Sequence, residues 1–103
     1  MGLPASRVGD ITEIKAVAWL MEQGYEVFRN AGCTGPADIV VWDIESGVLT
    51  PVDVKTLTPF LCKDGGMSYV PPKPKYESVF YLLYLKHLDQ FVWHKDFDSK
   101  ARY

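Results

Sequence analysis

The fold class this sequence predicts is α/β (α+β-like), a single N-terminal helix packed on a mixed central β-sheet. Three observations predict it: a helix-period apolar pattern over residues 10–23, three strand-like runs directly after it, and two more runs beyond an aperiodic stretch. At 103 residues, 48% hydrophobic and 14% aromatic, the chain has the composition of a folded globule and the size of one domain, 1–103. No internal repeat or linker divides it.

The helix is predicted over Asp10 to Gln23. Asp10 is a fitting N-cap, Ile11, Ile14, Val17, Ala18 and Met21 recur at helical spacing, and Gly24 follows the last turn. Tyr25 to Asn30 alternates aromatic and β-branched residues as a strand does, and the loop from Asn30 to Pro36 is rich in turn formers. Ala37 to Asp43 and Leu49 to Lys55 form a β-hairpin around Glu45-Ser46-Gly47. Leu57 to Glu77, with Gly65-Gly66 and Pro71-Pro72-Lys73-Pro74-Lys75, is a long irregular connection with room for short strand pieces. Val79 to Leu85 is a buried strand by its unbroken apolarity, and Gln90 to His94 pairs with it through Lys86 to Asp89. One helix covers one face of such a sheet. The other face, or the sheet edge, is expected to meet a second subunit, with Trp42, Tyr81, Tyr84 and Trp93 as candidates for that contact.

The hairpin carries the chemistry. In the second strand Asp53 and Lys55 lie two apart and so share a face, with Val52 and Val54 packing behind them. Taking Ser46-Gly47 as a two-residue loop pairs Glu45 with Val48, Val40 with Asp53 and Asp38 with Lys55. Any even loop keeps Asp38, Asp53 and Lys55 on one face. An odd loop without a bulge would send Asp38 to the other.

Two adjacent carboxylates repel each other unless a cation lies between them, and all-oxygen ligation suits Mg²⁺ or Mn²⁺. Such an ion activates water and stabilises charge developing on a phosphate, with Lys55 beside it and the Val54 carbonyl as a further ligand. Glu13, three residues after Asp10, completes a capping box or, at the margin of the apolar stripe, points a third carboxylate toward the hairpin. The two roles are compatible.

The formal charge of −2 excludes binding of nucleic acid by bulk charge. Its distribution is uneven: residues 1–54 hold three basic and eight acidic side chains, residues 55–103 eight basic and five acidic. The acidic half suits a metal and the basic half a phosphate backbone. Cys33 and Cys62 form no CxxC pair and read as two free thiols of a reducing, cytoplasmic protein. The longest apolar run, Val79 to Leu85, is too short to span a membrane.

Gly9-Asp10-Ile11-Thr12-Glu13, the helix ending before Gly24, Ala37-Asp38-Ile39-Val40-Val41 and Pro51-Val52-Asp53-Val54-Lys55-Thr56 together resemble the PD-(D/E)XK nuclease superfamily. Within it the chain is similar to small phage and bacterial endonucleases related to Holliday junction resolvases and intron-encoded homing endonucleases. The resemblance covers residues 9–56 in order, with Ala37 in place of the motif's proline and Pro36 one position earlier. It implies a restriction-endonuclease-like αβββ core and a Mg²⁺-dependent phosphodiesterase site composed of Glu13, Asp38, Asp53 and Lys55. The crossover helix usual after the lysine strand is not visible in this sequence, which leaves the sheet order open.

Lys63, Lys73 and Lys75, with Tyr69 and Tyr76, lie in the connection leaving the Lys55 strand, where they can meet phosphates, and Arg7 and Arg29 can join them from the other side. Each is also readable as a solvated surface charge. His87 and His94 flank the last hairpin as surface or edge residues. The sequence therefore points to a metal-dependent DNA endonuclease acting as a homodimer, since two strand cuts need two sites. A non-catalytic nucleic-acid-binding subunit of the same fold and a protein interaction module are the alternatives.

Overall fold

The helix begins at Pro4, not at Asp10. In the computed structural model, which describes residues 2–32 and 34–103, helix α1 spans Ala5–Glu22. Pro4 stands at φ −58° and ψ 149°, and its carbonyl accepts from the amides of Arg7 at 3.0 Å and Val8 at 3.1 Å. Proline has no amide to satisfy and a preset φ, so it is well suited to open a helix. Asp10 and Glu13 therefore lie inside α1, and neither acts as a cap. The helix ends where Gly24 takes φ +97°, a conformation that favours glycine.

The buried face of α1 is also not the one the large apolar residues mark. Thr12, Ala16 and Leu20, at four-residue steps, are buried, whereas Ile14 and Met21 are 56% and 60% exposed. Small residues at two of those three positions let the helix lie close to the sheet, which a count of apolar residues does not register. The Thr12 hydroxyl donates to the Val8 carbonyl at 2.9 Å and accepts from the Thr56 hydroxyl at 2.8 Å, so its burial leaves no polar group unpaired.

The main sheet contains β1 (Glu26–Arg29), β2 (Ile39–Trp42), β3 (Leu49–Leu57), β6 (Phe80–Leu85) and β7 (Gln90–Trp93), in the order β1-β2-β3-β6-β7. The β3/β6 pairing is parallel, with Asp53 opposite Tyr81 and Lys55 opposite Leu83; the other pairings are antiparallel. A parallel pair needs a long crossover. Residues 58–79 supply it without a helix and include only a small hairpin, β4 (Phe60–Leu61) with β5 (Met67–Ser68).

Alternation along the strands divides the core. Ile39, Val41, Val52 and Leu82 pack under Ala16 and Leu20 of the helix. On the opposite face Leu57, Tyr81, Leu83 and Leu85 are covered by Tyr69 from the long connection and by Phe97 and Tyr103 from the tail. The chain thus covers much of its own second face, where Tyr81 is 6% exposed; Tyr84, 5% exposed, is buried on the helix face, where its hydroxyl accepts from Lys15 Nζ at 3.1 Å, so both tyrosines lie inside the fold and not on a subunit interface. The tail, to which the sequence assigned nothing, docks through the Tyr103 amide on the Met67 carbonyl at 2.8 Å and Arg102 Nε on Asp64 Oδ2 at 3.0 Å. Cys62 is a free thiol, and the reading of Cys33 lies outside the described residues. Among the described residues no helix is long and apolar enough to cross a membrane.

Candidate active site

A four-residue turn, not a two-residue one, sets the register of the β2/β3 hairpin. The Asp43 amide donates to the Val48 carbonyl at 3.0 Å and the Gly47 amide to the Asp43 carbonyl at 2.8 Å, enclosing Ile44 to Gly47. Asp43 Oδ1 accepts from the amides of Glu45 and Ser46, and Gly47 takes φ +76°. An aspartate that satisfies its own turn makes the longer loop the stable one. The pairs are Ile39 with Val52, Val40 with Pro51 and Val41 with Thr50, two residues away from the register expected of a Ser46-Gly47 loop. Because both loops are even, each side chain keeps its face.

The next step of that ladder would set Asp38 opposite Asp53, and there the ladder breaks. The Asp38 amide donates to the Val52 carbonyl at 2.9 Å, so Asp38 and Ile39 both oppose Val52, the two-against-one arrangement of a β-bulge. The Asp38 side chain takes over the pairing: its Oδ2 accepts the Val54 amide at 2.8 Å. Asp53 stands against it with its side chain 14% exposed, and Lys55 Nζ lies 3.3 Å from Asp53 Oδ2.

These neighbours perturb Asp53. Burial, then the hydrogen bond and negative charge of Asp38, push its carboxyl from 3.8 up to about 6, while the Lys55 ammonium pulls the other way. Desolvated, like-charged carboxyls side by side are an arrangement that a cation would relieve. Oδ2 of Asp38 takes the Val54 amide and Oδ2 of Asp53 the Lys55 ammonium. Among the described residues no group of three or more His, Cys, Asp or Glu side chains converges. Two hard oxygen donors, with water and phosphate completing the shell, still fit Mg²⁺, which keeps several waters when protein-bound.

Asp38, Asp53 and Lys55 line a cleft of about 440 Å³. Lys73, Lys75 and Tyr76 line it as well, brought there by the proline-rich part of the long connection, and Tyr81 also contributes. Of the other residues the sequence singled out, Glu13 is not in the cleft. Its Oε1 accepts from Arg29 Nε and Nη2, each at 3.1 Å. Arg29 shares its strand face with Val27, which packs on the helix-side core, so this ion pair lies on the face opposite the two aspartates. Arg29 is correspondingly directed toward the helix and not toward the cleft. Arg7 is exposed in the first turns of α1 and Lys63 is exposed in the turn between β4 and β5; neither lines the cleft.

The sequence reading did not assign Tyr81 to the cleft, nor His94 to the segment that borders it. Tyr81 reaches the cleft because β6 pairs with β3 and sets it opposite Asp53. Once that pairing is known, alternation alone places it. His94 Nε2 donates to the Pro72 carbonyl at 3.1 Å, and no spacing rule in the sequence signals that contact.

Among solved structures, the chain is similar to the bacterial homing endonuclease I-Ssp6803I, with a TM-score of 0.66 and 23% identity over 96% of this chain and 73% of that one. At that identity the likeness is one of fold, and it matches the helix-on-mixed-sheet architecture described above. No family model and no curated protein matches the sequence.

Proposed function

We propose that this protein is a metal-dependent DNA endonuclease of the PD-(D/E)XK type, hydrolysing phosphodiester bonds in the manner of a homing or resolvase-like enzyme. One observation carries the reading: Asp38, just before β2, and Asp53 of β3 face one cleft with Lys55 against Asp53. A fold shared with a homing endonuclease supports it. Asp38 and Asp53 would hold Mg²⁺, or Mn²⁺ in its place. The Val54 carbonyl would be a further ligand, since in an extended strand it leaves from the same edge as the amide that Asp38 engages. The bound ion would acidify a water and offset charge on the attacked phosphate.

The remaining work falls to this chain's own groups. Val54 fixes the Asp38 carboxylate through its amide, so the ligand is oriented before any ion arrives. Lys55, held at the cleft by Asp53, sits where it neutralises the growing negative charge on the phosphoryl oxygens or orients the water. Lys73 and Lys75 hold the flanking phosphates. Two strand cuts need two such sites, and each chain supplies one, so the active form is a homodimer or larger.

The test is incubation of the purified protein with supercoiled plasmid and with a four-way junction, in Mg²⁺ or in EDTA. The expected result is Mg²⁺-dependent nicking of at least one substrate, lost in Lys55→Ala. Absence of cleavage of both by the wild-type protein would overturn the proposal.

A further inference from the structure

Two of the three lysines of the cleft, Lys73 and Lys75, sit on a strap, Pro71 to Lys75, that belongs to neither sheet. Three of its five residues are proline, so its backbone has few conformations to choose from. Behind the strap is a hollow of about 180 Å³, lined by Pro74 and Tyr76 on one side and by Tyr81, Trp93 and His94 on the other. Packing alone therefore does not set the strap's height above the sheet.

Two hydrogen bonds tie it down. His94 Nε2 donates to the Pro72 carbonyl at 3.1 Å, and the Lys75 amide donates to the Tyr81 hydroxyl at 3.4 Å. A carbonyl only accepts, so Nε2 of His94 carries its hydrogen. The two anchors brace each other: the rings of Tyr81 and His94 meet edge to face with centroids 6.2 Å apart and an interplanar angle of 82°. Tyr81 is buried and lines both the hollow and the cleft, so the ring that fixes the strap is attached to the strand beside Asp53.

We infer that His94 and Tyr81 are positioning residues for nucleic-acid binding, holding the strap so that Lys73 and Lys75 face the cleft before a phosphate backbone arrives. The inference rests on the reading of DNA as the ligand. A cation on a loose loop loses conformational freedom when it meets a phosphate; one on a strap already tied at both shoulders loses less. The effect belongs to binding and not to the chemical step, because the Tyr81 hydroxyl and His94 Nε2 spend their hydrogen bonds on the strap, while the two carboxylates are held by Val54 and Lys55.

The experiment is a mutant cycle on duplex DNA affinity, measured in EDTA so that no cleavage occurs. His94→Phe and Tyr81→Phe, each retaining its ring, are made in the wild-type background and with Lys73→Ala and Lys75→Ala together. Each anchor change is expected to weaken binding about 3- to 10-fold in the wild-type background and to have no further effect without the lysines. Trypsin should cut after Lys75 several-fold faster in both, and His94→Gln, which keeps a donor, should restore part of the affinity. Equal losses in both backgrounds, or no loss with unchanged proteolysis, would overturn the inference, as would full affinity in the double lysine variant. Should His94→Phe not fold, the Tyr81→Phe arm decides. A wild-type protein that binds DNA yet never nicks it removes the hydrolytic reading alone, whereas one that binds no DNA removes both.

Discussion

Asp38 and Asp53 meet across a break in the β2/β3 ladder: the bulge at Asp38 frees its carboxylate to take the Val54 amide at 2.8 Å, directly beside the Asp53 carboxyl. The arrangement raises the energy of the folded protein when both groups are ionised, and that cost is measurable.

Asp53 titrates near 6 in the folded protein against 3.8 ordinarily. Between those values the folded state holds more protons than the unfolded one, so this group's stabilisation is complete below about pH 4, falls as pH rises to about 6, and is flat above. Asp53→Asn removes the dependence. Urea unfolding should show the variant gaining on wild type from pH 4 to 6 and remaining about 1–2 kcal/mol more stable at pH 7. A gap independent of pH would contradict the assignment.

An ion binding between the carboxylates stabilises only the folded state. Millimolar Mg²⁺ or Mn²⁺ should raise the wild-type melting temperature by a few degrees, followed by the fluorescence of the three tryptophans, and leave Asp53→Ala and Asp38→Ala unmoved. An equal rise in all three proteins would place the ion elsewhere.

Glu13 is taken up by Arg29 on the helix face. Glu13→Gln should therefore cost about 1 kcal/mol of stability or less while leaving Mg²⁺-dependent nicking within a few-fold of wild type. A loss of about 100-fold or more in kcat would show that Glu13 enters the chemistry after all.

The tail seals the second core. Tyr103 packs edge-on to Tyr69 at 5.5 Å between centroids and stacks on Phe97 at 6.1 Å. Because Tyr103 is only half-buried, Tyr103→Ala should destabilise by about 1–2 kcal/mol, below the range for fully buried rings. Hydrogen exchange should quicken at the β4/β5 hairpin, which the tail holds through Met67 and Asp64. Unchanged exchange there would mean the hairpin stands without the tail.

Local pattern made much of this legible. The strands and the long helix-free crossover follow from β-branched runs and from Gly and Pro punctuation, and the face shared by Asp53 and Lys55 follows from alternation, whereas Asp38 joins them through the bulge and the Val54 amide. Features set by backbone geometry or by non-local contact escaped it. The helix start depends on Pro4, which brings no capping side chain and lies six residues before the periodic pattern. The buried face of α1 depends on how closely Thr12 and Ala16 approach the sheet, which hydropathy does not measure. The turn length depends on Asp43 bonding to its own loop, and the partner of Glu13 on which face of β1 Arg29 takes. The strap anchors join residues 22 apart at Pro72 and His94, and only the folded chain brings them together.

The most direct measurement is the rate of nicking of supercoiled plasmid by wild type and Asp53→Asn, side by side in Mg²⁺ and in EDTA. The proposal predicts nicking by wild type in Mg²⁺ alone, with Asp53→Asn folded but at least about 100-fold slower. Equal nicking by the two proteins, or nicking by wild type that persists in EDTA, would contradict it.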